Sequence, residues 1–430
     1  MALTTEPASR ETRRPLNRWP FSFAGSRLNP WRGLDGLPRE VWLLFATNLI
    51  NRAGMMVLPF LIVYLTRELH FTPGQAGLAF ALYGGAAIFA GPIGGRLSDS
   101  IGALPVMRAS LMLSGSVVMF FPFAHSVGAV YAVTALWAAC AELFRPASLA
   151  ALTHVVQPSQ RKAAYALNRL AINLGMSIGP ALGGFLAAVS FRSMFVVDAL
   201  TTLTAGVVLI AARWRPTATA ERDTAETEVT SALARLRGNS RLAVFLAATF
   251  LVSVVFYQHE SALPLYMVQY LSLSPAFYGS LFTINTLMIV ALEVPINRAT
   301  AEWPHAWALV AGCMLFALGF GGLGIVSSAS GLLFTTIVWT FGEMMLFPAM
   351  AAHLGDIAPE AQRGAYMGAY SMSLSLALTV GPWLGTQLLS RFGPAVVWYF
   401  MFVLGALAAA LMGFAAPHRR MVRAPAAAGS

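Results

Sequence analysis

Apolar residues run along this chain in long blocks, without the strict alternation of half-buried strands or the narrow stripe of surface helices. Blocks of about 20 residues bounded by charges and turn formers predict helices that cross a membrane. Twelve are expected, over 41–65, 74–97, 104–124, 127–155, 161–189, 193–212, 242–271, 276–299, 303–326, 331–354, 362–389 and 394–416. The clearest region lies between Glu302 and Glu343, where 40 consecutive positions carry no Asp, Glu, Lys or Arg. The polar stretches between blocks divide the chain into an amino-terminal tail (1–40), a first six-helix bundle (41–213), a mixed-charge linker (214–241), a second six-helix bundle (242–416) and a carboxy-terminal tail (417–430). The expected fold class is an all-α membrane protein of twelve transmembrane helices.

Composition agrees with this reading and removes other classes. Of 430 residues, 57% are hydrophobic and 11% charged, against about 25% charged in a soluble domain. A soluble enzyme of this length would lack the polar residues to cover its surface. The two cysteines, Cys140 and Cys313, lie inside apolar blocks and do not suggest a disulfide scaffold. The single lysine, Lys162, follows no glycine-rich run, and neither HExxH nor CxxC occurs. No enzyme activity, bound cofactor or metal is therefore expected.

The net charge of +10 changes the picture through its distribution. With the amino terminus inside, 22 of the 28 Lys and Arg fall on cytoplasmic segments. The opposite face holds only Arg67, Arg192 and Arg391, and Arg52, Arg145 and Arg169 fall within helices. By the positive-inside rule both termini are cytoplasmic. The charge is a topology signal and an attraction to lipid head groups, and no nucleic-acid partner is expected. The arginine-rich first 40 residues, with Trp19, Phe21, Phe23 and Trp31, lack the apolar core and cleavage site of a signal peptide. Arginine outnumbers lysine 27 to 1 and alanine is abundant. That composition points to a GC-rich bacterial genome, and so to a multi-pass protein of a bacterial inner membrane.

The two halves are related. A shift of 202 positions superimposes Pro73 and Gly77 on Pro275 and Gly279, Pro146-Ala147 on Pro348-Ala349, and Gln160-Arg161 on Gln362-Arg363. The same shift places Gly179-Pro180 on Gly381-Pro382 and Gly183 on Gly385. A duplicated six-helix unit predicts a pseudo-symmetric pair of bundles with a substrate site between them near the bilayer midplane.

Two local patterns resemble a known family. Gly95-Arg96-Leu97-Ser98-Asp99-Ser100-Ile101-Gly102, between the second and third blocks, is similar to the cytoplasmic loop motif of the major facilitator superfamily. Gly175-Met176-Ser177-Ile178-Gly179-Pro180-Ala181-Leu182-Gly183-Gly184 is similar to the fifth-helix motif of its antiporters. The resemblance covers about 41–416 and is to twelve-span, proton-linked drug antiporters. In the loop, Ala103 and Leu104 stand where the family usually has basic residues, and the next base is Arg108. The resemblance implies a gating role for Gly95, Asp99, Gly102 and Arg108. Asp99 would accept hydrogen bonds from a helix start in one conformation and lose them in another. Gly175, Gly179 and Gly183 share one helical face and let helices touch, with Pro180 as a bend. They are read as packing, and also as a seal between repeats.

Ionisable residues inside the blocks are candidates for chemistry, because each is costly in lipid. The first half has Asn51-Arg52 where drug antiporters of the family often carry an acid, and Glu142 with Arg145 three residues on. A Glu142–Arg145 or Glu142–Arg52 pair would keep all three charged, either as a structural lock or as a substrate contact. Arg169 is placed to snorkel to the inner face and Asp198 to the outer one. The second half has Glu260, Glu343 and Glu293 without a base at similar depth. A carboxylate desolvated without a cationic partner gains and loses protons near neutrality. Glu260, beside His259 and with Pro264 one turn on, is the first proton-coupling candidate, ahead of Glu343, Glu293 and Glu142. Glu293 has Arg298 as a possible partner, and His259 is a packing residue or a relay. Tyr257 is grouped with Arg52, Arg145, Asn51 and His259 as a substrate or charge-network candidate. Phe45, Tyr64, Tyr83, Trp137, Trp339, Phe347 and Tyr370 are candidates for an adaptable apolar cavity.

The expected function is alternating-access transport of a small solute by a monomer, exchanging an outward-moving drug or amphipathic metabolite for an entering proton. The proton gradient would be the energy source, with membrane lipid as the other partner. Uptake or facilitation of an anionic metabolite, peptide or siderophore is the alternative, and a non-transporting receptor or scaffold the reading from a different class.

Overall fold

The structure, a computed structural model, describes residues 36–157, 160–212, 214, 239–359 and 362–416. Most of the amino-terminal tail and of the linker, and the carboxy-terminal tail from 417, lie outside the described residues. Two sets of helices follow the chain. The first is α1 (Arg39–Gly54), α2 (Val57–Arg67), α3 (Pro73–Ile101), α4 (Ala103–Phe120), α5 (Val127–Ala141), α6 (Phe144–Val155), α7 (Arg161–Val189) and α8 (Phe191–Ala211). The second is α9 (Ser240–Phe256), α10 (Ala262–Leu265), α11 (Pro275–Ala299), α12 (His305–Gly322), α13 (Ala329–Ile357), α14 (Arg363–Phe392) and α15 (Pro394–Ala415).

Local sequence explains the helix starts. Thr72 accepts from the Gln75 N–H in a capping box, and Pro73 occupies the first turn of α3. Ser274, 202 residues later, caps α11 by accepting from the Phe277 N–H, again with a proline, Pro275, in the first turn. Ser126 and Ser328 cap α5 and α13. Gly102, with φ +92°, turns the chain from α3 into α4.

Eleven segments among the described residues are long and apolar enough to cross a membrane. The twelfth, α14, has 30 residues and so the length, but Ser371, Ser373, Ser375, Thr379 and Gln387 dilute its apolar character. Thr379, Thr386 and Gln387 of this helix lie against glycines of α3 at the seam described below. The fold is all-α, with Phe89, Phe120, Phe185, Val207, Phe334 and Phe414 exposed on the surface, as expected for helices solvated by lipid.

Three expected helices are interrupted, and each interruption has a proline four residues on. The first block breaks at Met55 and Met56, between α1 and α2, ahead of Pro59. The fourth breaks at Glu142 and Leu143, between α5 and α6, ahead of Pro146. The seventh passes through a 3₁₀ turn, Tyr257–Glu260, into α10 with its Pro264, and then a π turn, Tyr266–Tyr270. A proline ring clashes with the carbonyl four residues earlier and offers no N–H to it, so Met55, Glu142 and Glu260 are where the ladder gives way. Pro92, Pro180, Pro295, Pro348 and Pro382 lie inside continuous helices. Proline alone is therefore not sufficient. The fourth block is broken while its repeat mate, α13, is not. Both nevertheless keep equivalent neighbours: α5 and α6 pack on α3 and α4, and α13 packs on α11 and α12.

The two bundles meet through α3 with α14 and α7 with α11. The repeat offset relates these two contacts. A Cβ on Gly77 of α3 would overlap the Thr386 side chain of α14, and one on Gly279 of α11 would overlap the Pro180 carbonyl of α7. Gly74 abuts Gln387, and Gly184 abuts Pro275 and Ala276. These approaches lie toward the Thr72 end of α3. Toward the Asp99 end, Gly91 and Gly95 of α3 and Gly368 of α14 have open space beside them. The tightest approaches of the two bundles thus lie at one end of the seam.

Within the first bundle, Gly175, Gly179 and Gly183 bear on the α1–α2 break. A Cβ on Gly175 would overlap Arg52, and one on Gly179 would stand 2.9 Å from the Arg52 carbonyl oxygen. Gly175→Ala is expected to destabilise the folded protein by about 1–3 kcal/mol, because the displaced atoms include backbone. Gly95→Ala, with nothing within 4 Å, should leave stability unchanged or raise it by up to about 1 kcal/mol. Thermal unfolding of the two purified variants in detergent checks the contrast.

Candidate functional site

Each helix break leaves backbone groups that lipid cannot satisfy, and specific side chains take them up. At the first break, Asp198 of α8 accepts the N–H of Met56 and of Val57 on one carboxylate oxygen, both at 2.9 Å. Asp198 is thus an N-cap supplied from another helix, at the end of α2 where a negative charge is stabilised. It is 3% exposed. The expectation that it reaches the outer surface is corrected: the free N–H groups of α2 hold it inside. At the third break, the Tyr278 hydroxyl donates to the His259 carbonyl at 2.7 Å, and Gln258 donates its side-chain amide to the carbonyls of Val254 and Gly381, each at 2.9 Å.

The first two breaks adjoin a small cavity of about 40 Å³, lined by Asn51, Arg52, Met55, Tyr83, Trp137, Glu142, Asp198 and Thr202 among others. That is space for a very few waters. Glu142 accepts the Tyr83 hydroxyl at 2.9 Å, and Tyr83 stands edge-on to Trp137. Arg52 has one guanidinium contact, Nη1 to the Met55 sulfur at 3.1 Å, and its Nε is buried without a partner. Among the described residues neither Arg52 nor Arg145 has a carboxylate within 4.0 Å. The expected Glu142–Arg145 and Glu142–Arg52 pairs are therefore corrected. The helix gives way at Glu142, so the three-residue spacing no longer puts Glu142 and Arg145 on one face, and Arg145 is exposed. Below the cavity, Asn48 donates to Ser148 and Asn168 and ties α1 to α6 and α7.

In the second bundle Glu260 lies at the last residue of the 3₁₀ turn, 8% exposed, with the His259 Nε2 at 3.7 Å as its nearest charged or chargeable neighbour. The His259 ring packs among Phe256, Phe282 and Trp339, and its Nδ1 reaches the Phe256 carbonyl at 2.6 Å. Glu343 accepts the Asn285 amide at 2.8 Å, and that amide also meets Thr340 at 3.0 Å. Tyr257 lies within electrostatic reach of Glu260 and Tyr370 in its own half and of Arg145 and Glu142 in the other.

Glu293 departs from expectation. It pairs with Arg169 of α7, across the two bundles, and not with Arg298. Arg298 lies in the last turn of α11, beyond Glu293, and is exposed. In the gating loop, Asp99 is exposed in the last turn of α3. Arg108 points away from the loop and forks onto the Leu209 carbonyl at 2.7 and 3.0 Å, where it satisfies the end of α8. Of the aromatic candidates, Tyr83 and Trp137 line the small cavity, while Tyr64 packs at the far end of α2 with Phe121, Phe191 and Phe195. Phe45 packs on Trp42, Phe347 on Phe256 and Trp339 on Phe320. Sequence reasoning passed over Asp198 as a cap, and passed over Gln258 and Asn285. Their signal was a polar side chain inside an apolar block, beside a proline-marked break or a buried acid.

A repeated bundle of twelve membrane-spanning segments, with charged groups gathered at helix breaks beside a seam that is closed at one end, is the architecture of a secondary transporter. The Major Facilitator Superfamily model matches residues 44–270 and 260–429, and the chain belongs to that family. It is 26% identical over 370 residues to the MFS-type transporter YqjV of Bacillus subtilis (strain 168), covering 85% of this chain and 90% of that one. It is 24% identical to a Na(+), Li(+), K(+)/H(+) antiporter of Planococcus maritimus, covering 85% and 92%, and 22% identical to multidrug resistance protein MdtH of Salmonella typhi, covering 93% and 98%. The fold is also that of a D-xylose-proton symporter, with a TM-score of 0.72 at 15% identity over 88% of this chain and 98% of that one. A POT family transporter in complex with 5-aminolevulinic acid has the same TM-score and identity, over 89% and 97%.

Asp198→Ala is expected to lower stability by about 1–3 kcal/mol, because it strands two buried N–H donors. Asp198→Asn keeps an acceptor and should recover most of that loss. Thermal unfolding of both variants reads the difference, and equal losses would assign the effect to charge instead.

Proposed function

We propose that this chain is a proton-coupled antiporter that moves an amphipathic solute out of the cytoplasm, as a monomer, by rocking of its two bundles. The observation that carries the proposal is the setting of Glu260: a buried acid at a helix break, with no lysine or arginine within 4.0 Å among the described residues. An acid so placed exchanges its proton against the charge of whatever else enters the same space. Glu343, held by the neutral Asn285 amide, is a second such acid. The names of the two relatives, an antiporter and a multidrug resistance protein, support exchange and export.

In the proposed orientation the arginine-rich segments, with both termini, face the cytoplasm of a bacterial inner membrane. The Asp99 end of α3 is then cytoplasmic, and this conformation is open inward and sealed outward. A solute enters from the open side and Glu260 releases its proton there. The bundles then part along the α3–α14 and α7–α11 seams, the Arg169–Glu293 pair resets, and proton uptake from outside displaces the solute. Solute and proton compete for one charged space, which prevents either from crossing without the other.

A second reading, transport of an anionic solute, is favoured by one observation: Arg52 carries an unpartnered buried nitrogen beside a cavity. A substrate carboxylate or phosphate would supply the missing acceptor.

Proteoliposomes with an imposed pH gradient distinguish these readings. The wild type should show gradient-driven flux, and Glu260→Gln should keep downhill exchange while losing its response to the gradient. Wild-type flux indifferent to the gradient would sink the proton-antiport proposal, and full coupling in both Glu260→Gln and Glu343→Gln would sink the assignment of these acids. If the cargo is anionic, Arg52→Ala should raise KM by about tenfold or more. Cationic or neutral cargo should show no such rise.

A further inference from the structure

The sparsely charged end of the protein holds a feature that transport does not use. A groove of about 550 Å³ lies where α2 ends, α4 has ended, α7 ends and α8 begins, lined among others by Arg67, Glu68, His125, Ser190, Phe191 and Arg192. Among the described residues, Arg67, Arg192 and Arg391 are the arginines at this end of the molecule, where membrane topology selects against them. Two of the three meet in this groove. Neither Arg67 nor Arg192 has a carboxylate within 4.0 Å among the described residues, although Glu68 lines the same groove. Arg192 lies over the Phe123 ring, 5.8 Å from its centroid, an arrangement that leaves its planar N–H fork free to bind. The start of α8 has no side-chain cap, so its first N–H groups add donors at the same place.

We propose that this groove binds the phosphate of an anionic phospholipid head group from the facing leaflet. Two arginines, a histidine and an uncapped helix start supply the charge and donors that a phosphodiester accepts, and Glu68 selects for a head group that also carries hydroxyl donors, such as glycerol. The surroundings favour a lipid over a free phosphate. Val189, in the groove's lining, is 86% exposed and Phe123, beneath Arg192, is 64% exposed, and both offer acyl chains apolar surface beside the arginine. The proposal takes the outer leaflet from the orientation above, and it is independent of proton coupling.

Native mass spectrometry of the protein released from bilayers containing both phosphatidylglycerol and phosphatidylcholine tests it. The wild type should retain phosphatidylglycerol preferentially, and the Arg67→Gln/Arg192→Gln variant should lose one retained molecule, with affinity weakened about tenfold or more. Arg391→Gln, the third base of that end, should behave as the wild type. Photoreactive phosphatidylglycerol on the wild type should label the segments 120–125 and 187–193, a readout that needs no variant to fold. Unchanged retention in the double variant, or labelling confined to other segments, would overturn the site. Displacement of the lipid by glycerol phosphate at equal affinity would overturn the lipid as its source.

Discussion

The bilayer interior accepts no free backbone N–H or C=O, and the arrangement of this protein's charges follows from how that constraint is met at three places. Prolines 59, 146 and 264 remove hydrogen bonds in the middle of apolar segments. At the first and third of these places the chain supplies other partners: the Asp198 carboxylate, the Tyr278 hydroxyl and the Gln258 amide. Each is a polar group that would otherwise be out of place at such depth. Once a break exists, the residues beside it stand out of register with the helix face. Arg52 and Glu142 thereby line the small cavity of the first bundle, and Glu260 lies buried in the second. The breaks are the reason that charge and membrane coexist here.

The seam depends on a different property, smallness. Gly77 and Gly279, one repeat apart, allow α3 onto α14 and α7 onto α11 closely enough that a methyl group would not fit. This is why the 202-residue offset was legible in the sequence. Most of the glycines that repeat sit where packing leaves no room for a side chain. The twelve blocks were legible for a similar reason, since length and lack of charge are demanded at every crossing. The polar character of α14 escapes that rule because much of its polar surface lies against the glycines of α3 and not in lipid.

The candidate site was less legible, and the misses have a common cause. Spacing along an unbroken helix put Glu142 and Arg145 together, and depth alone gave Glu293 to Arg298 and sent Asp198 to the surface. Prolines were visible, but Pro92, Pro180, Pro295, Pro348 and Pro382 lie inside continuous helices, and only Pro59, Pro146 and Pro264 accompany a break. Which of them breaks a helix depends on whether a neighbour can take the freed groups, as Asp198 does for α2. That is a tertiary property carried by residues more than a hundred positions away. The pairing of Arg169 with Glu293 is likewise a contact between bundles, invisible to any reading of one helix at a time.

Seam and break are joined physically in one turn of α7. Gly179 packs against the carbonyls of Arg52 and Met55 at the first break, while the next residue, Pro180, presents its own carbonyl to Gly279 of the other bundle. Pro180 also removes the N–H that would have bonded the Met176 carbonyl, so this turn is less tightly laddered than its neighbours. When α7 and α11 part, the displacement falls on the turn that buttresses the break, and the Asp198 hydrogen bonds lie immediately behind it. Close packing leaves little room for that displacement to be absorbed between the two. The geometry therefore gives opening of the seam a short mechanical route to the backbone that carries Arg52, and through it to the cavity where the charges of the first bundle collect.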